Sequence, residues 1–288
     1  MSRIAYVNGQ YLPHSSAAVH VEDRGYQFAD GVYEVCEVWQ GKLVDGPRHL
    51  ARLERSCSEL RIPMPMEHKP LTLVLKEVIR RNKVRNGIVY MQVTRGVARR
   101  DHFFPLTPIA PTLVITAKPG NPAASDKQAE TGIAVVSHPE NRWPRVDIKT
   151  VGLLPNVLAK QYAREQGAKE VWYVDQDGFV TEGGSTNAWI VTKDGVLVTR
   201  PAESGILRGI TRSVVLDLVE REGLRFEERP FSLEEAKTAR EAFVTAASTI
   251  CMPVVSLDGA SIGNGHPGTV ATELRKQFHT ATHLDEIY

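Results

Sequence analysis

Cysteine is scarce in this chain: three in 288 residues, Cys36, Cys57 and Cys251, with no C-x-x-C pair. Such a set argues against a disulfide framework or a zinc ribbon and for a reducing, cytoplasmic setting. The nine histidines never fall in H-E-x-x-H, which argues against a metalloprotease-type zinc site, and no metal is expected. No apolar run approaches the roughly 20 residues of a membrane span, and the opening M-S-R-I-A-Y lacks a signal-peptide core. Strong charge of either sign is also missing. A formal net charge of +1 gives no field to recruit nucleic acid or an anionic membrane. Repeats and low-complexity tracts do not occur.

What is present is the composition of a globular protein, 42% hydrophobic and 24% charged, long enough for a sizeable core. In I-A-Y-V-N-G-Q-Y-L, Asn8-Gly9 is a type I′ turn signal between two strands. Tyr33 to Val44 alternates and turns at Gln40-Gly41, a second hairpin. Leu50, Leu53, Cys57 and Leu60 recur at helical spacing, and Leu71 to Asn82 reads as another helix. Lys118 to Lys127, K-P-G-N-P-A-A-S-D-K, has almost no apolar bulk and reads as a linker. Beyond it strands and helices mix again, with Asn156 to Gln166 and Ile210 to Glu222 as helices and S-L-E-E at Ser232 as a capping box. The pattern predicts an α+β protein of two domains, 1–120 and 121–288.

Five segments carry residues suited to chemistry. In V-D-I-K-T-V-G-L-L, Val146 to Leu154, Lys149 sits among mostly apolar neighbours, as a snorkelling lysine or a buried amine does. In F-V-T-E-G-G-S-T-N-A-W, Glu182 is followed by two glycines, which let backbone approach whatever the carboxylate touches. G-I-L-R-G-I-T-R runs into a helix whose first N–H groups, at Gly209, Ile210 and Thr211, suit a phosphate; plain N-capping by Thr211 is the alternative. This segment has neither the P-loop nor the dinucleotide glycine pattern. A-A-S-T-I offers the hydroxyls of Ser248 and Thr249 at a strand end. In R-G-V-A-R-R-D-H, Arg100 and His102 lie two apart in extended chain and point the same way, so they suit a carboxylate or simply water.

A buried lysine, a phosphate cradle and a carboxylate are together what pyridoxal 5′-phosphate requires. The lysine forms a Schiff base, for which it must lose its proton, and the carboxylate keeps the pyridine nitrogen protonated. The order of F-A-D-G-V-Y-E-V, H-L-A-R-L, D-I-K, L-L-P-N-V-L-A-K-Q, V-T-E-G-G-S-T-N and G-I-L-R-G-I-T-R resembles the fold-type IV pyridoxal-phosphate enzymes. That group comprises D-amino-acid transaminases, branched-chain aminotransferases and aminodeoxychorismate lyases. The resemblance implies a small N-terminal and a larger C-terminal α+β domain, and a homodimer whose active site lies between the domains. It implies that Lys149 carries the cofactor and the proton, and that Glu182 pairs with the ring nitrogen. Arg52, the backbone of Ile210 and Thr211, and Ser248-Thr249 would bind the phosphate, with Leu207 against the ring face.

R-G-V-A-R-R-D-H-F-F-P resembles the D-amino-acid transaminase version of its loop. There the residues matching Arg100 and His102 reach a neighbouring subunit's site and hold the substrate carboxylate, aided by the one matching Tyr33. The expected activity is ping-pong transamination between D-amino acids, such as D-alanine and D-glutamate, and 2-oxo acids, such as pyruvate and 2-oxoglutarate. Branched-chain L-amino-acid transamination or lyase activity on the same fold are the rivals, and a non-catalytic cofactor binder is a third.

Overall fold

The computed structural model describes residues 3–203 and 205–287. The chain divides into two compact units. One comprises Met1–Asn121 with Ile148–Gly152 and His283–Tyr288; the other comprises Pro122–Asp147 and Leu153–Thr282. Helix and strand mix in both, the α+β character that the sequence pattern implied.

In the first unit, seven described strands form one antiparallel sheet. Its centre is Gly31–Trp39 paired along its length with Gly87–Thr94, itself paired with Thr112–Pro119. Asn8 and Gly9 take φ of +46° and +95°, the values a type I′ turn requires, and join Ile4–Val7 to Gln10–Pro13. Helices Gly46–Glu59 and His68–Arg81 cover one face. Leu50, Leu53 and Cys57 of the first, and Leu71, Leu75 and Val78 of the second, bury against Val32, Cys36, Val89 and Met91 of the sheet. The period-2 pattern of strands and the 3.6-residue pattern of helices thus meet in one core.

The second unit is built on a nine-stranded mixed sheet whose central strands are Glu241–Ala246, Ile250–Leu257 and Ile133–Pro139. Trp172, Phe231, Ile190, Val244 and Leu257 lie in its core. Helix Leu154–Glu165 ends before Gly167 at φ +74°, and Ser232 caps helix Leu233–Lys237 by accepting from the Glu235 N–H.

The expected linker is ordered. Lys118 and Pro119 end a strand, and Pro122–Thr131 is a helix opened by a proline, which needs no N–H there. Of that helix only Ala129 is buried, so the segment lacks apolar bulk while remaining helical. The three cysteines are free and buried, and burial pushes the Cys57 and Cys251 thiols up to about 12. No described helix is long and apolar enough to cross a membrane.

Candidate active site

The first unit gathers Tyr33, Arg52, Arg100, His102 and Lys149. Along Gly31–Trp39 the buried positions are Val32, Glu34, Cys36 and Val38, while Tyr33 and Val35 turn to the other face. An acid on the apolar face needs partners, and the covering helix supplies them. Glu34 is fully buried and accepts from His49 Nδ1 at 2.8 Å, Arg52 Nε at 2.6 Å and Arg52 Nη2 at 2.8 Å. Burial alone would raise the Glu34 carboxyl, yet the charge and hydrogen bonds of Arg52 hold it far below the usual carboxylate range. Arg52 is therefore fixed by Glu34 through two of its three nitrogens.

Lys149 reaches the same strand from a distant part of the sequence. Strand Lys42–Val44 pairs only with the far end of Gly31–Trp39, which leaves its first residues open on that edge. The segment around Lys149 occupies this edge: Tyr33 N–H donates to the Lys149 carbonyl at 2.9 Å, and Val151 N–H to that of Gly31 at 3.0 Å. Alternation buries Ile148 in the core and turns Lys149 outward, its ammonium 4.3 Å from the Tyr33 ring centre. Lys149 is half-buried, so the apolar run does not enclose the amine as its composition suggested. The neighbours bury Ile148 instead.

Arg100 and His102 are exposed and converge on one ring. The guanidinium lies 4.7 Å from the centre of Phe28, and the imidazole 5.6 Å. Arg24, buried and paired with Asp30, anchors this loop by donating to the carbonyls of Asp101 at 2.7 Å and Phe103 at 3.3 Å.

The second unit holds Glu182, Leu207, Ile210, Thr211, Ser248 and Thr249. Glu182, buried on strand Val180–Gly183, accepts from Arg142 Nη1 at 2.6 Å, Asn187 Nδ2 at 3.0 Å and the Leu207 N–H at 3.1 Å. Arg142 also donates to Glu140, through Nη2 at 2.6 Å, and its guanidinium lies over the Tyr173 ring. Two carboxylates thus share one guanidinium, and burial pushes Glu182 up against the pull of Arg142. A buried carboxylate so placed favours a further N–H or cationic partner. Glu182 is thus a buried strand residue with three donors.

Gly183 and Gly184 serve the loop itself. A Cβ on Gly183 would come 2.1 Å from Thr186 Oγ1, and one on Gly184 3.0 Å from Glu170 Oε1. Glu170, buried, accepts from the Gly184 N–H and the Ser185 and Thr186 hydroxyls, each at 3.2 Å. The glycines make room for that clasp.

Helix Ile210–Arg221 begins at Gly209, which has no capping side chain; Thr211 lies inside the first turn, so it is not the cap. Asn187 donates to the Leu207 carbonyl at 2.8 Å, and its Oδ1 occupies the space where a Cβ on Gly209 would lie. Asn187 therefore links Glu182 to the chain entering the helix. On the turn between Glu241–Ala246 and Ile250–Leu257, the Thr249 hydroxyl is buried with no partner among the described residues. An uncapped helix start and an orphan hydroxyl are both suited to an anion.

Arg142, Glu140, Asn187, Glu34, His49 and Glu170 had no assigned role in the sequence. Glu34 is legible in retrospect, as an acid in phase with Val32, Cys36 and Val38. Arg142, 40 residues from its carboxylate, leaves no such signal.

Comparison with known proteins bears on the family and the fold. A family model described as amino-transferase class IV matches residues 31–257. The chain is 40% identical over 270 residues to the D-alanine aminotransferase of Bacillus licheniformis, covering 93% of each. It is 38% identical over 275 residues to that of Staphylococcus haemolyticus, covering 95% of this chain and 96% of the relative. Its structure resembles that of the Escherichia coli branched-chain amino acid aminotransferase. There the TM-score is 0.91 and the identity 24%, over 100% of both chains, a likeness of fold.

Proposed function

The chain belongs to the class IV aminotransferases, and we propose that within them it exchanges amino groups between D-amino acids and 2-oxo acids. The family's cofactor, pyridoxal 5′-phosphate, supplies an electron sink that lets the α-carbon of an amino acid release its proton. Lys149 would hold the cofactor at its aldehyde and, as a free amine, would take and pass on the proton of the substrate's α-carbon. Tyr33, under the ammonium, restricts where the amine swings. Glu182 would pair with the cofactor's ring nitrogen and keep it protonated, and Leu207 would pack on the ring. Arg52, the N–H groups of Ile210 and Thr211, and the hydroxyls of Ser248 and Thr249 are the groups that would hold its phosphate.

Three features support the fit of this chain to the cofactor. In the Glu140–Arg142–Glu182 cluster two carboxylates share one guanidinium. The helix at Gly209 starts uncapped, and the Thr249 hydroxyl has no partner among the described residues. The observation that carries the substrate assignment is the convergence of Arg100 and His102 on Phe28. A guanidinium and an imidazole held together on an exposed loop suit the α-carboxylate of a substrate. In this reading the protein is a cytoplasmic homodimer of two-domain subunits, divided near residue 120, and the loop serves the neighbouring subunit's site.

Supplying matched D- and L-amino acids with 2-oxoglutarate, and following oxo-acid formation, tests the assignment. D-alanine is expected to outpace L-leucine. The reverse order would transfer the chain to the branched-chain reading.

A further inference from the structure

The turn bearing Ser248 and Thr249 holds an unusual backbone. Ala246 pairs with Ile250 across a three-residue connection, and Ile250 takes φ of +56°. That region crowds a branched Cβ, and glycine or asparagine normally fills it at the end of such a turn. An isoleucine stays there only where its surroundings enforce the conformation.

Arg275 provides the enforcement. From helix Thr269–Gln277 its Nη1 donates to the Thr249 carbonyl at 2.5 Å and to that of Cys251 at 3.2 Å, the two carbonyls flanking Ile250. Its Nη2 donates to Ser125 Oγ at 3.0 Å and Asp126 Oδ1 at 2.8 Å, on helix Pro122–Thr131. The guanidinium is thus anchored on one side and grips the turn on the other. A relaxed, negative φ at Ile250 would rotate the Thr249 carbonyl away from Arg275 and carry the adjoining hydroxyl with it.

We propose that Arg275 is a positioning residue that holds Ile250 in its left-handed conformation and so aims the hydroxyls of Ser248 and Thr249 at the cofactor's phosphate. This rests on the reading that those hydroxyls bind the phosphate. Arg275 touches neither cofactor nor substrate in this role. It acts through the turn.

The test compares pyridoxal 5′-phosphate with pyridoxal, which lacks the phosphate, by absorbance titration of the full chain freed of cofactor. Arg275→Met is expected to weaken pyridoxal 5′-phosphate on the order of tenfold, to leave pyridoxal unchanged, and to shift the ³¹P resonance of the bound cofactor. Arg275→Lys, which keeps the charge but reaches one carbonyl, is expected to fall between. Unchanged affinity for both compounds in Arg275→Met would overturn the proposal. So would an equal loss for both, since that marks a general structural defect. If Arg275→Met does not fold, Arg275→Lys decides by the same two affinities. Thr249→Val separates the underlying reading: if it leaves the ratio of affinities intact, the phosphate role of the turn fails. If it lowers the ratio while Arg275→Met does not, only the role of Arg275 fails.

Discussion

Arg142 donates to Glu182 at 2.6 Å inside the second unit, and the same guanidinium is held by Glu140 at 2.6 Å. The pair matters because Glu182 is buried and its other donors, Asn187 and the Leu207 N–H, are neutral. Replacing Arg142 by methionine would leave the buried carboxylate of Glu182 and the half-buried one of Glu140 without their shared cation. The expected cost is about 3–5 kcal/mol of stability, the range for breaking one side of a buried ion pair. Denaturant unfolding of Arg142→Met against wild type measures it. A loss under about 1 kcal/mol, the range of exposed pairs, would show that the cluster is solvated in solution.

Glu34 makes a prediction about pH. Its carboxyl is held well below the ordinary value of 4.5, because Arg52 and His49 outweigh the burial that would raise it. A depressed folded-state pKa stabilises the fold above the unfolded value, and that contribution drains away as pH falls below it. Glu34→Gln is therefore expected to be destabilised most near neutrality. The gap between wild type and variant should stay constant from neutrality to about pH 5 and narrow as pH falls further, as read from thermal or urea unfolding. A gap that widened toward acid would contradict the ion pair.

Gly209→Ala tests the link between Glu182 and the helix start. The added Cβ would lie 2.1 Å from Asn187 Oδ1, so the amide must move off Glu182 or the helix must shift. Weaker cofactor retention is expected, by roughly tenfold for the loss of about one hydrogen bond. Equilibrium dialysis of the holoenzyme reports it. Retention equal to wild type would mean that Asn187 does not couple the two ends.

Removing Arg100 addresses the substrate assignment. A charge-assisted bond to a carboxylate contributes roughly 1.5–3 kcal/mol, so Arg100→Ala should lose about one to two powers of ten in kcat/KM for D-alanine. Cofactor absorbance should be unchanged. Unaltered kinetics would remove Arg100 from the substrate site.

Much of the fold was legible in the sequence because its signals are local. Asn8-Gly9 turns where only φ > 0 serves, and Leu50, Leu53 and Cys57 recur on one helix face whatever lies elsewhere in the chain. The Pro122–Thr131 helix was hidden for the same reason. It buries only Ala129, and a helix without an apolar stripe leaves no periodicity to read. Candidate site residues divide similarly. Lys149 and Glu182 lie in motifs of recognisable order, whereas Arg142 and Arg275 lie outside them and acquire partners through contacts distant in sequence.

By itself, then, the sequence determined most of the elements, the scarcity of cysteine and the order of motifs that marks the family. Those depend on covalent geometry, local turn chemistry and hydrophobic period. The tertiary structure alone decided what each charged group faces: Glu34 under Arg52, Glu182 beside Arg142, and the amine of Lys149 over Tyr33 with Ile148 turned into the core. A buried charge depends on what surrounds it in space, and sequence order does not state those distances.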